Sequence, residues 1–242
     1  MGGCRSWQRR SRPAEKNFLT NGSGLRVTGR VSDPDTLKDV LFAHSVVMTD
    51  DRQLLLQQYC QSLWSWNSRL NLTRHTNFEA FVTRDLNDSQ QLETHLQSGE
   101  SVLDVGAGGG VPGIVLAILN PGIVVSLCES TQKKANALRE IVAQLRLPID
   151  IFAERAEHVL FSHSFDTITA RAVAPLQKLI RWFRPHRNRI GRILLVKGPN
   201  WAREYDEASQ AGLLAADEIQ VVAEYTTPGR TGSSVVLEVR IR

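Results

Sequence analysis

The sequence predicts an α/β fold: a seven-stranded doubly wound sheet with an antiparallel last hairpin, preceded by an N-terminal helical region. Three observations predict it. From Ser101 onward, short apolar runs alternate with helical patterns, the arrangement of a parallel sheet covered on both faces. The first run, 101–105, breaks directly into a turn with five glycines, Gly106, Gly108, Gly109, Gly110 and Gly113, and a helical pattern follows at once. The last two runs are separated only by a turn around Pro228-Gly229, which is too short for a crossover and forces them to pair antiparallel.

Residues 1–30 carry seven Lys/Arg against one acid, Glu15, among Gly and Ser, and are expected to form a basic, disordered tail. The helical region occupies 31–99. Ser32-Asp33-Pro34 reads as a cap with proline at the first helical position, opening a helix to about Val47. Thr49-Asp50-Asp51 caps a second helix, whose apolar positions Leu54, Leu55, Tyr59, Leu63 and Trp66 recur at helical spacing. A third runs from near Phe78 to before Gly99. The sheet domain spans 100–242, with strands expected at 101–105, 122–128, 149–153, 165–170, 190–196, 217–225 and 233–241. Helices are expected at 112–119, 131–146, 174–184 and 200–212.

Composition bounds the function. A chain of 242 residues buries one full core. No apolar run approaches the ~18–20 residues of a membrane span, so no membrane partner is expected. The three cysteines, Cys4, Cys60 and Cys128, are scattered and odd in number, which points to free thiols in a reducing compartment and a cytoplasmic location. The six histidines form no ligand pattern, and no metal is expected. The whole-chain net charge of +4 is concentrated in the basic tail, and residues 31–242 are close to balanced.

The chemistry is carried by the strand–glycine turn–helix unit, the usual seat of a nucleotide-like cofactor. Gly108, Gly110 and Gly113 fit the dinucleotide pattern G-x-G-x-x-G, which leaves a nicotinamide-dependent oxidoreductase open. Asp104, two residues before Gly106, gives Asp-x-Gly-x-Gly-x-Gly instead, which resembles motif I of class I methyltransferases. Glu129 ends the second apolar run 23 residues after Gly106, near the ~20-residue spacing of a carboxylate that accepts ribose hydroxyls.

Further segments carry a more specific resemblance. Trp66-Asn67-Ser68-Arg69-Leu70-Asn71-Leu72-Thr73, then 105–113, Glu129-Ser130 with Lys133-Lys134, Ala156-Glu157, Ala170-Arg171-Ala172 and Lys197-Gly198 occur in this order. Over about residues 50–242 the chain resembles the small-subunit ribosomal RNA methyltransferase G family (RsmG, also called GidB). The resemblance implies a Rossmann-like class I methyltransferase fold, S-adenosyl-L-methionine as cofactor, and methylation of guanine N7 in 16S ribosomal RNA, at guanosine 527 in the usual numbering. It implies 16S rRNA or the small ribosomal subunit as partner; a monomer is expected. Two places depart from the family pattern. Asp85 stands where the family has His in R-H-x-x-D-S, and Gly232-Ser233-Ser234 stands where basic residues often precede the last strand. These departures keep open a ribosome-binding assembly protein that retains the fold without turnover.

N7 of guanine carries a lone pair and no proton, so no general base and no catalytic side chain is expected; orientation and proximity supply the rate. The expected cofactor contacts are Asp104, Gly106, Ala107, Gly108, Val111, Glu129, Ala156, Glu157 and Arg171. Asp104 either approaches the cationic methionine end or caps the loop. Arg171, ending the fourth strand, either binds the methionine carboxylate or guanine O6, or makes a structural ion pair. The expected RNA contacts are Arg181, Arg184, Arg187, Arg189 and Lys197. Four of them lie in the acid-free stretch 178–192, which also holds Lys178, Arg192, Trp182 and Phe183. The competing reading of that stretch is a solvated helix end with its aromatics in the core.

Overall fold

All seven expected strands form, and they join in one sheet of order β3-β2-β1-β4-β5-β7-β6. The computed structural model describes residues 36–228 and 231–241; the basic tail and the predicted Asp33-Pro34 helix start lie outside the described residues. The strands are β1 (Ser101–Val105), β2 (Val124–Cys128), β3 (Asp150–Phe152), β4 (Phe165–Arg171), β5 (Ile190–Lys197), β6 (Ile219–Thr226) and β7 (Ser233–Val239). The first five are parallel, with Val102 opposite Val125 and Ile168 opposite Ile193. The centres of β1, β2, β4 and β5 are buried because helices cover both faces. β7 inserts antiparallel between β5 and β6, and a bulge between Val221 and Ala223 adjusts its register.

One face carries α1 (Leu37–Ala43), α2 (Asp50–Leu70), α3 (Phe78–Ala80), a π-helical turn (Phe81–Leu86), α4 (Asn87–Glu93), α5 (Gly113–Leu119) and α6 (Gln132–Leu145). Leu56, Tyr59, Leu63, Phe81 and Leu86 from the helical region share a core with Val102, Val125, Leu127 and Leu194 of the sheet. The helical region and the sheet therefore belong to one unit, Asp33–Arg242. The other face is covered by α7 (Ala156–Ser162), α8 (Leu176–Phe183) and α9 (Trp201–Gln210), which pack on Leu103, Val105, Ile168 and Leu237.

Three helices differ from the sequence expectation. The first starts at Leu37, capped by the Thr36 hydroxyl accepting from the Asp39 N–H, and ends at Ala43. The third is interrupted by the π turn, which buries Asp85. The seven-residue α7 was not expected: two turns with buried Ala156, Val159 and Leu160 are too short to show a helical period.

Candidate functional site

The carboxyl ends of β1, β2, β3 and β4 meet the glycine turn, and the turn is held from three elements. Asp104 at the end of β1 is 1% exposed. Its Oδ2 accepts from the Gly113 N–H at 3.0 Å and its Oδ1 from the Thr169 hydroxyl at 3.2 Å. Burial pushes its carboxyl up to about 7, although both hydrogen bonds and Arg171 act the other way. Gly113 opens α5 where a Cβ would overlap Leu127 and meet the Asp104 carboxylate, so only glycine lets helix and strand approach so closely. From α2, the buried Tyr59 hydroxyl donates to the Gly109 carbonyl at 2.8 Å. From the end of β2, Glu129 accepts from the Gly108 N–H at 3.1 Å and the Thr131 N–H at 2.7 Å.

The Trp66–Thr73 segment proves to be a helix stop. Asn71 ends α2 in the left-handed conformation (φ 47°), and the Asn67 side chain accepts from the Thr73 N–H at 2.8 Å. The stop turns the chain so that Leu72 and Thr73 face the glycine turn.

Two lobes flank Gly106. The larger, of about 280 Å³, is lined by Val105, Cys128, Ser130, Ala156, Glu157 and Trp182, among others. The smaller, of about 170 Å³, is lined by Leu63, Thr73, Ala107, Gly108, Val111 and Arg171, among others. Gly106 itself has φ +70° and its missing Cβ would strike Val173 at 2.7 Å. Gly106 lines both lobes, and the missing Cβ lets the Val173 side chain pack directly on its backbone where the lobes meet. Among the described residues no cluster of His, Cys, Asp and Glu can hold a metal ion.

Arg171 turns away from a free role. Its Nη2 lies 2.7 Å from Asp85 Oδ1 and its Nη1 lies 2.9 Å from Asp88 Oδ2. Asp85 Oδ1 also meets His75 Nδ1 at 2.8 Å, and Asp88 Oδ1 accepts from the Tyr225 hydroxyl at 2.7 Å. Burial disfavours the Arg171 charge, but Asp85 and Asp88 outweigh this and raise its pKa above the ordinary value. The structural ion pair is the alternative observed, and it bolts the end of β4 to the helical region.

A family model for rRNA small subunit methyltransferase G (GidB) matches residues 52–230. The chain belongs to the rRNA small subunit methyltransferase G family. The ribosomal RNA small subunit methyltransferase G of Rhodopirellula baltica is 51% identical over 170 residues, which cover 70% of this chain and 74% of that protein. The protein of the same name from Chromobacterium violaceum is 37% identical over 163 residues, covering 67% and 78%. Among solved structures, the methyltransferase domain of METTL16 superposes with a TM-score of 0.54 at 14% identity, covering 79% of this chain and 81% of that one. MtNAS in complex with MTA and tNA gives 0.50 at 15% identity, covering 85% and 76%. These two likenesses show the class I methyltransferase fold.

In this methyltransferase G chain the expected RNA residues do not gather on one surface. Lys197 ends β5 at the cleft edge, but its ammonium is held by the Ala174 carbonyl at 2.8 Å and Glu204 at 2.7 Å. Arg184 binds the Leu213 carbonyl at 2.6 Å and Glu218 at 3.0 Å. Arg181 is exposed on α8. Arg187 and Arg189 are exposed on the 3-10 turn Arg184–Arg189, which leads into the start of β5 and so lies at the amino-terminal end of the parallel strands, opposite the cleft. Arg192, from the same stretch, is spent on Glu100 and Glu238 at 2.8 and 3.1 Å. The stretch splits because it rounds a strand end; sequence proximity does not reveal which end each cation reaches. Phe183 is in the core, whereas Trp182 lines the larger lobe. Sequence reasoning missed Tyr59, Asp85, Asp88 and Leu72 as supports of the cleft. Tyr59 was visible only as a helix-face residue, and Asp85 only as a departure from the family pattern.

Proposed function

We propose that the protein transfers the methyl group of S-adenosylmethionine to N7 of a guanine in 16S rRNA, at guanosine 527 in the usual numbering, acting as a monomer in the cytoplasm. One observation carries the reading: a glycine cradle with a buried carboxylate at its floor separates a nucleoside-sized lobe from a smaller one, in a chain whose relatives are named for methylating small-subunit ribosomal RNA. The donor set fits the cofactor. Glu129 accepts from the ribose hydroxyls with the lone pairs that its two backbone donors leave. Ala156 and Glu157 flank the adenine in the larger lobe, and Ala107, Gly108 and Val111 flank the methionine portion in the smaller. Asp104 and Arg171 act through the walls: one fixes the loop, the other the end of β4.

When bound, the cofactor supplies a methyl group activated by its sulfonium. The chain's own residues hold the reacting groups in line and exclude water, and N7 needs no proton removed. The test pairs calorimetry with site mapping. Glu129→Ala loses hydrogen bonds to a charged group, each ~1.5–3 kcal/mol, so cofactor affinity should fall at least tenfold. Wild-type protein with small subunits should place one methyl on a guanine N7 of 16S rRNA. Label on protein, on another base, or on no RNA at all would overturn the reading.

A further inference from the structure

Resting on ribosomal RNA as the substrate, we infer a second RNA contact, built from Phe161, His186, Arg187 and Arg189 at the amino-terminal end of β4 and β5, opposite the cleft. The ring of Phe161, at the end of α7, is 70% exposed. The ring of His186 meets it edge-on, with centroids 4.9 Å apart and planes at 87°. His186 sits in the same 3-10 turn as Arg187 and Arg189, both exposed, and Arg189 reaches Ser164 Oγ at 3.3 Å. The segments 158–164 and 184–190 contain no acid. The neighbouring acids are occupied: Asp166 accepts from the Ser101 N–H and hydroxyl, and Glu218 holds Arg184.

An exposed phenylalanine, an imidazole packed edge-on with it, and two guanidinium groups are the components of a single-stranded RNA contact. The aromatic face stacks on an unpaired base and the arginines meet flanking phosphates. The absence of acids from both segments favours a polyanion over a protein partner. β4 separates this end from the cleft by seven residues, roughly 20 Å at ~3.3 Å per residue. The nucleotides held here are therefore not those beside the target guanine but a neighbouring strand of the folded rRNA, so the contact anchors the particle and does not touch the reacting atoms.

The test uses the full chain and unmethylated small ribosomal subunits. Phe161→Ala and the double variant Arg187→Ala/Arg189→Ala should each raise KM for the particle about fivefold or more, with kcat and KM for S-adenosylmethionine unchanged. Phe161→Tyr, which keeps the stacking face, should restore the wild-type KM. Sedimentation binding over a salt series should show a slope smaller by ~0.7–0.9 per lost phosphate contact in the double variant. Unchanged KM and salt slope in both variants would overturn the inference while leaving the proposed reaction standing. Weaker binding by the double variant with an unchanged salt slope would assign the patch to a protein contact and overturn it too. A wild-type chain that neither binds nor methylates the particle would remove the reading beneath it.

Discussion

Asp104→Asn should remove a pH dependence of stability that the wild-type chain carries in its floor. Asp104 is enclosed among β1, β4 and the start of α5, and burial pushes its carboxyl from 3.8 up to about 7. In the unfolded chain the group ionises near its ordinary value. Between pH 4 and pH 7 the folded state therefore holds a proton that the unfolded state has released. Stability then falls as pH rises through this window and levels off above pH 7. At ~1.4 kcal/mol per pH unit, the loss between pH 5 and pH 8 is roughly 2–3 kcal/mol relative to a variant that cannot titrate. Asparagine is that variant. Its carbonyl accepts from the Gly113 N–H, and the Thr169 hydroxyl rotates to accept from its amide. Urea midpoints at half-unit pH steps, with the slope m held constant, read the difference directly. The variant should match the wild type near pH 5 and exceed it at pH 8. Parallel curves would refute the reasoning, because they would mean that Asp104 is solvated and ionised in the folded chain.

Three other perturbations follow from the same geometry. Tyr59→Phe leaves the Gly109 carbonyl buried without its donor, which costs ~1–3 kcal/mol; cofactor KM should rise in steady-state assays while particle KM holds. Arg171→Met strands Asp85 and Asp88 without their cation and should cost ~3–5 kcal/mol by denaturant titration. Arg171→Lys should recover little of it, because one ammonium does not reproduce a fork that engages two carboxylates. Ala172, next in the chain, has φ 57°. Ala172→Gly should change the thermal midpoint little, since relief of strain offsets added unfolded-state entropy, whereas Ala172→Val should lower it clearly.

The sheet was legible because its signal is local and redundant: short apolar runs, each followed by a turn or helix. The glycine turn was legible for a related reason, since the need for positive φ at Gly106, Gly108 and Gly110 leaves a compositional trace. What supports the turn left none. Tyr59 reaches Gly109 across 50 residues and Asp88 reaches Arg171 across 83, and no spacing rule spans such distances. Arg171 illustrates the consequence. Its position at a strand end pointed equally to a ligand and to an ion pair, and only the π turn, which brings Asp85 to it, decides the matter. The basic stretch 178–192 failed differently. Its charges are real, but α8, the 3-10 turn and β5 send them to separate places, so a one-dimensional cluster is not a three-dimensional patch.

The helical region is a working part of the cleft and not merely an appended domain. Asp104 fixes the glycine turn from beneath, Glu129 from the side and Tyr59 from above, and the last of these comes from α2. Arg171 then ties the β4 wall to Asp85 and Asp88, and Tyr225 ties Asp88 to β6. A displacement of the helical region is therefore transmitted to the smaller lobe, whose lining holds Gly109 and Arg171. Packed side chains and paired charges do not deform continuously. RNA engaging the helical face would thus act on the same bolts that shape that lobe, while the distal aromatic–arginine patch, which shares none of them, could hold the particle without altering the geometry of transfer. If the inferred contact holds, binding strength and catalytic alignment fall at opposite ends of the same strands.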